Sequence, residues 1–435
     1  MPPPSRRTAE ATLDRPAGPP PGTARSALTH PTFRRLYVGA FVSTIGTWMQ
    51  NAVLAAYAFK LTGSASFVGL IVFAQLGPML AFSVVGGALA DLVDRRRLLV
   101  VVAVEQALLT LVLAGLTLDD DPSRALLVAV VFGIGVGQAI HAPTYSAVLP
   151  SLVGPEDLNG AIALNSTQMN ASRVVGPALG GALFAAVSVS WVFLLNAASV
   201  VVVIVVLLRI ELPPVERDPA GGRGWRRLLG GFAVARRDDQ VRRVLVTMAL
   251  FSFFCLPFVT HVPVLADLNL GIDPKSTAYG ILYACLGVGA VIGSLSIGTV
   301  FAGSSKPRIV QLGLPAFAGL VALLALVRSP GPAYGLMVLV GIAYFATVTS
   351  LSTILQQQLD DRVRGRVMAL WVMSFGGTVP IGSLVAGAAI EATSITAVML
   401  VGAGVAALLG VYAYGFTRRP SAGGPAARGP RPDSP

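Results

Sequence analysis

The chain has 435 residues, of which 54% are hydrophobic and 12% charged, with a mean hydropathy of +0.72 and a formal net charge of +11. This composition excludes an ordinary water-soluble globule and points to an all-α protein that crosses a membrane many times, because a hydrocarbon core about 30 Å thick takes roughly 20 apolar residues per helix. The basic excess falls in loops and tails rather than on one polar face, so it reports membrane topology and not nucleic-acid binding.

Residues 1–29 are rich in Pro, Arg and Thr and have no apolar centre, so they are expected to be a disordered tail and not a signal peptide. Apolar segments follow at about 36–59, 66–90, 97–118, 124–147, 160–187 and 189–208. After a hydrophilic interruption, six more lie at about 241–265, 276–301, 307–327, 332–356, 366–389 and 394–416. Backbone amides in lipid must be satisfied within the span, and runs this continuous predict helices rather than the alternating strands of a barrel. The expected organisation is about twelve transmembrane helices in two six-helix halves, 30–208 and 241–417. A central loop, 209–240, joins them, and a disordered tail, 418–435, ends the chain.

Charge orients this arrangement. With the N-terminus inside, the basic residues left outside are Lys60, Arg124, Lys275 and Arg328, and Arg173 lies within a span. The other basic residues then occupy cytoplasmic loops and tails, as the positive-inside rule requires, and both termini are cytoplasmic.

The two halves share a weak internal repeat. Arg34-Arg35 and Arg242-Arg243 enter corresponding segments at an offset of 208 residues, and Gly133-Ile134 and Gly341-Ile342 keep that offset. Gly69 and Gly87 match Gly280 and Gly298 at an offset of 211. A parallel duplication of six helices is a known transporter architecture.

Enzymatic readings find no support. The three lysines follow Phe59, Pro274 and Ser305, so no Walker loop exists, and three histidines and two cysteines offer no metal-ligand spacing. Cys255 and Cys285 sit in apolar runs as small packing residues. No cofactor is expected, and energy would come from an ion gradient.

Three motifs carry the functional reading. The loop Gly87-Ala-Leu-Ala-Asp91-Leu-Val-Asp94-Arg95-Arg96-Arg97 packs two acids and three arginines between two spans. Gly87 permits close helix approach, Asp91 suits a helix N-terminus, and the arginines can bridge to acids or lipid phosphates. The fifth span holds Arg173-Val-Val-Gly176-Pro177-Ala-Leu-Gly180-Gly181. Pro177 bends it, and the glycines offer a smooth face to a neighbour. Arg173 lies about 20 Å along the span and needs a partner. Glu105, about 12 Å into the third span, is the other charge placed well inside a helix.

The loop is similar to the signature between helices two and three of the major facilitator superfamily, with Asp94 where many members have Gly. The fifth-span motif resembles the one that marks exporters there, with Ala163 and Ser172 at upstream positions where Gly is expected. Pro143-Thr-Tyr-Ser-Ala-Val-Leu-Pro150, then Leu158-Asn-Gly-Ala-Ile-Ala-Leu-Asn165, resembles the enterobactin-exporter and macrolide-efflux (transmembrane secretion effector) branch.

The resemblance implies a monomeric secondary exporter in the bacterial cytoplasmic membrane, coupled to protons, with Asp91 and Arg95 closing the cytoplasmic side. It also implies a path lined by spans one, four, seven and ten. There the candidates are Trp48, Gln50, Asn51, Gln138, Phe254, Tyr344 and Thr347, with Thr44, His141, Phe251, His261 and Ser350 nearby. The span-four arginine of many exporters is absent from Val130–Gln138, which leaves Arg173 and Glu105 as coupling candidates. Aromatics with few charges suit a bulky, amphipathic, largely uncharged small molecule. An importer or facilitator of the same fold, or a non-transporting sensor or scaffold, remains the alternative.

Overall fold

Short polar residues start the helices. In the computed structural model, which describes residues 19–210, 232–359 and 361–414, the side chains of Ser64, Asp94, Ser123, Asp238, Ser276 and Ser394 each accept a backbone N–H from a helix's first turn. Each such cap satisfies a donor that the helix itself leaves free. The helices are α1 (Pro31–Thr62), α2 (Ala65–Leu76), α3 (Pro78–Leu92), α4 (Arg95–Leu116), α5 (Arg124–Val148), α6 (Leu158–Ala186) and α7 (Val189–Arg209). There follow α8 (Asp239–Phe254), α9 (Val262–Leu270), α10 (Thr277–Gly298), α11 (Lys306–Leu326), α12 (Pro330–Gln358), α13 (Asp361–Val372), α14 (Thr378–Ala392) and α15 (Ile395–Tyr412).

Among the described residues there is no strand, and ten helical segments are long and apolar enough to cross a membrane. Two further helices, α1 with 32 residues and α6 with 29, have the length but a more polar composition. Three expected spans are interrupted for identifiable reasons. Gly77-Pro78 divides α2 from α3, and Pro257 and Pro263 flank the break between α8 and α9. Between α13 and α14, Met373–Gly377 widens into a π-turn.

The helix pairings recur. In the first part of the chain α1 packs on α6 and α7, α3 on α5, and α4 on α5 and α7. In the second part α8 packs on α14 and α15, α10 on α12, and α11 on α12 and α15. The most extensive pairings between the parts are α6 with α10 and α2 with α14.

The ends of α1 and of the α8–α9 segment are also alike. Gly63 and Gly271 close them with the same left-handed φ of +63°, a conformation glycine adopts without the Cβ clash. Neither has a neighbour that an added Cβ would meet, so a substitution there tests the backbone alone. Gly63→Ala and Gly271→Ala should each cost about 1–2 kcal/mol, read as a lowered Tm of the purified protein.

The expected N-terminal tail, 1–29, is described from residue 19 onward, and that part is ordered. Its residues 1–18, like most of the central loop and the C-terminal tail, lie outside the described residues. Residues 19–29 pack onto the loop before α6. Thr23 caps the short helix Ala24–Ala27, the Gly22 N–H donates to Asp157 Oδ1 at 2.9 Å, and His30 Nε2 meets Asp157 Oδ2 at 2.9 Å. Gly160 makes room for the Thr23 backbone. A partner 127 residues away orders this segment, which composition cannot show.

His30, and after it the Gly22 amide, hold the Asp157 carboxyl below the usual carboxylate range. Its contribution is therefore complete above the free carboxyl's pKa of about 3.9 and is lost as acid carries it through its lower folded value. Asp157→Asn should free the segment at neutral pH, measured as faster tryptic cleavage at Arg25.

Candidate functional site

The glycines of α6 serve two different neighbours. A Cβ added at Gly176 would meet the backbone of α1 at Ile45 and Met49 and the Trp48 side chain, and one at Gly180 would meet Met49. Gly181 faces the other way. A Cβ there would lie 2.3 Å from the Cα of Gly280 on α10, and one on Gly280 would lie 2.7 Å from the Cα of Gly181. Two backbones therefore cross in direct contact at this point, which only small residues allow. Pro177 has no N–H to give the Arg173 carbonyl four residues back, and that carbonyl lies against Gly287 of α10. The motif thus seats α1 on one side of α6 and α10 on the other.

One turn back along α6 from Pro177, the Arg173 side chain enters a ring of aromatics. Its guanidinium carbon is 5.2 Å from the Trp48 ring centroid on α1 and 4.8 Å from that of Phe345 on α12. Tyr344 packs on Phe345 with centroids 4.4 Å apart and continues to Phe251 and Phe317 at 5.9 and 6.4 Å. Arg173 and Glu105, the two charges placed well inside spans, do not pair. Ion pairs among the described residues include His30–Asp157, Lys60–Asp273 and Arg242–Asp239. Glu105 instead lies along Gly133 and Gly137 of α5, where an added Cβ at Gly137 would strike its carboxyl, and its Oε2 is buried without a hydrogen-bond partner.

The other path candidates separate by placement. Gln50 is 1% exposed and accepts from Asn196 of α7 at 2.7 Å, so it is sealed within the helix packing rather than facing a path. Asn51 accepts from Gln75 of α2. Gln138 lines a cavity of about 280 Å³ with Gln106, His141 and Tyr145, where the last two rings stack. Phe254 is 39% exposed and packs edge-on against Phe253, away from the Arg173 cluster, and it is Phe251 that reaches Tyr344. Thr347 is fully buried with an unpartnered hydroxyl next to Gly313. Sequence reasoning missed Phe345, whose only signal was its position beside Tyr344, and Gly280, which it used as a repeat marker and not as a contact.

At the loop between α3 and α4, Gly87 and Asp91 lie outside the described residues as regards their contacts. Asp94 caps α4 through the Arg97 N–H at 2.8 Å. Arg96 donates to the Leu207 and Leu208 carbonyls at the end of α7, and Arg95 to the Ala147 carbonyl near the end of α5. These arginines close helix C-termini, where free carbonyls and the helix dipole favour cations. Lys306 does the same for α10, donating to the carbonyls of Ile297, Phe301 and Ala302.

The opposite end of the bundle is stitched across the two parts of the chain. Lys60 pairs with Asp273 at 3.0 Å, and the carboxylate of Glu391 accepts from Ser64 Oγ, Ser66 N and Ser66 Oγ. Tyr279 donates to the Ala52 carbonyl at 2.9 Å, and His261 Nε2 lies 3.2 Å from the Ala65 carbonyl. Gly69 and Gly387 let α2 and α14 meet backbone to backbone. The Lys275 N–H, and after it Lys60, hold the Asp273 carboxyl below the usual range.

Comparison with known proteins agrees with this architecture. The enterobactin exporter EntS of Shigella boydii serotype 4 (strain Sb227) is 28% identical over 348 residues, 79% of this chain and 81% of that protein. EntS of Escherichia coli O139:H28 (strain E24377A / ETEC) matches over the same shares at 28%. Among solved structures, the nucleoside transporter NupG superposes with a TM-score of 0.69 at 14% identity, covering 90% of this chain and all of that one. A bacterial homologue of the human lysosomal transporter Spinster, in an inward-facing and occupied conformation, gives 0.66 at 15%, covering 88% and 95%. At such identities the structures speak to the fold alone. With the transmembrane secretion effector family matching over residues 22–426, the chain belongs to that family of major facilitator superfamily membrane transporters.

Proposed function

We propose that the protein is a secondary active exporter, moving a bulky amphipathic small molecule out across the bacterial cytoplasmic membrane by alternating access and proton antiport. The observation that carries this reading is the glycine contact of α6 with α10, next to the Arg173 aromatic ring. It is a smooth seam on which two bodies can rock, and the ring sits beside it.

The matched helix pairings and the two left-handed glycines 208 residues apart support twelve spans in two six-helix halves. The more polar α1 and α6 then border the path, which explains why they fall below the hydropathy of the other spans. The positive-inside rule puts the Lys60–Asp273 end outside and both termini inside. In that orientation the stitched end is the extracytoplasmic gate. The direction of transport rests on the α6 motif and on the relatives' role as enterobactin exporters.

A deletion strain tests the proposal. Its secreted metabolites and its sensitivity to amphipathic drugs are compared with the parent, and the affected compound is followed into everted vesicles energised with a pH gradient. Export predicts raised cell content on deletion and vesicle uptake that a protonophore abolishes. Lowered cell content on deletion would establish import instead.

A further inference from the structure

Arg173 is a cation without a counter-ion. It makes no hydrogen bond and no ion pair among the described residues, and its Nε is buried with no partner at all. The two contacts it has are to ring faces, Trp48 on one side and Phe345 on the other. Ring faces attract a guanidinium's charge, yet they leave its five in-plane N–H donors unused. Those donors form a fork that matches a planar anion. The residue as a whole is half-buried, as are Trp48 and Phe345, so the edge of the guanidinium remains reachable. The rings come from opposite parts of the chain, α1 and α12, so an occupant at the fork would be held by both. Tyr283 and Tyr344 also lie within electrostatic range of Arg173. They are neutral hydroxyls that can donate to an anion and do not replace it.

We propose that the cargo supplies the missing charge: it carries a planar anionic group, a carboxylate or its equivalent, joined to an aromatic or similarly flat apolar body. The anion takes the Arg173 fork, and the apolar body lies along Trp48, Tyr344 and Phe345. This deepens the transport reading and rests on it, and it replaces the largely uncharged cargo that the scarcity of charges in the sequence indicated. A guanidinium fixed between two rings is a better anion site than a free one, because its orientation is set before the ligand arrives.

The test is equilibrium binding to the full chain in phosphatidylcholine nanodiscs, corrected for empty discs. The probes share one ring system and differ in charge: 2-naphthoate, 2-naphthamide and 2-naphthylmethylammonium. The anion should bind about tenfold or more tightly than the amide, with the ammonium weakest. Arg173→Gln should bring the naphthoate down to the level of the amide, with a much smaller loss for the amide, and Arg173→Lys should keep part of the preference. Tm and gel filtration show whether each variant is folded. Equal binding of the three probes by the natural protein, or no binding of any, overturns the proposal. So does a preference that survives in Arg173→Gln, or an equal loss of anion and amide there, which marks a purely structural arginine. Because binding carries no direction, failure here leaves the export reading standing, and evidence of import would leave the anion site standing.

Discussion

Gly181→Val is expected to stop transport almost completely while leaving the protein folded and in the membrane. The valine's Cβ would lie 2.3 Å from the Cα of Gly280 and 2.7 Å from its N, and its two methyl groups have nowhere to turn. The partner at that point is backbone, so no rotamer change relieves the clash. Overpacking of this kind costs about 1–3 kcal/mol or more. Separating α6 from α10 at the Lys60 end removes it, at the expense of the Tyr279–Ala52 and Lys60–Asp273 contacts. A shift of about 3 kcal/mol between two conformations is a change of roughly 150-fold in their ratio. The carrier is then held with that end apart. Vesicle transport should fall by about 100-fold, and a cysteine introduced at Ser276 should react faster with a membrane-impermeant maleimide. Gly319→Val is the control, since that glycine faces open space. Full transport by Gly181→Val would mean that the helices do not rely on this contact.

The Gly181–Gly280 contact also marks the boundary of what a sequence discloses. That the chain is helical and crosses a membrane many times was legible because hydropathy is a property of each segment alone, and ten of the apolar segments recur among the described residues as helices long enough to span. The α6 motif was legible as a smooth face, but not as two faces with different partners. That distinction depends on which helices flank α6, and Gly280 lies 99 positions away from Gly181 in the chain. Loop charges behaved differently again. Clustered arginines beside two acids read as a latch, and the described contacts add a second task for them, since Arg95 and Arg96 donate to the ends of α5 and α7. Free carbonyls at a helix end are always near such loops and leave no mark in composition. Arg173 was visible as an anomaly of depth, but its surroundings were not. Trp48 and Phe345 sit 125 and 172 positions from it, and the acid placed well inside another span faces a different helix.

That acid carries the second large effect. Glu105→Gln is expected to uncouple the carrier, keeping downhill exchange of cargo while losing accumulation against a gradient. The carboxyl lies in the packing of α4 on α5, where Gly133 and Gly137 leave it space, and its Oε2 meets no donor. Burying a charged carboxylate without a cation costs several kcal/mol. Its proton occupancy therefore responds to how much water and which neighbours reach it, and in the proposed alternating-access cycle rocking of the two halves would change both. Glutamine has the same shape and nearly the same volume, so the α4–α5 packing should hold, but it cannot bind and release a proton. With one proton exchanged per cargo, each pH unit across the membrane supports about a tenfold cargo gradient. In everted vesicles the natural protein should approach that ratio, and Glu105→Gln should stop near equal concentrations with its dependence on pH flattened. Entry of cargo down its own gradient should continue at a rate within about threefold of the natural protein, because a neutral isostere in well-kept packing changes little. Loss of both activities together would mark Glu105 as a packing residue. Retention of both would place the coupling proton elsewhere, and His261, whose ring nitrogens lie between the carbonyls of Pro257 and Ala65, would be the next group to replace.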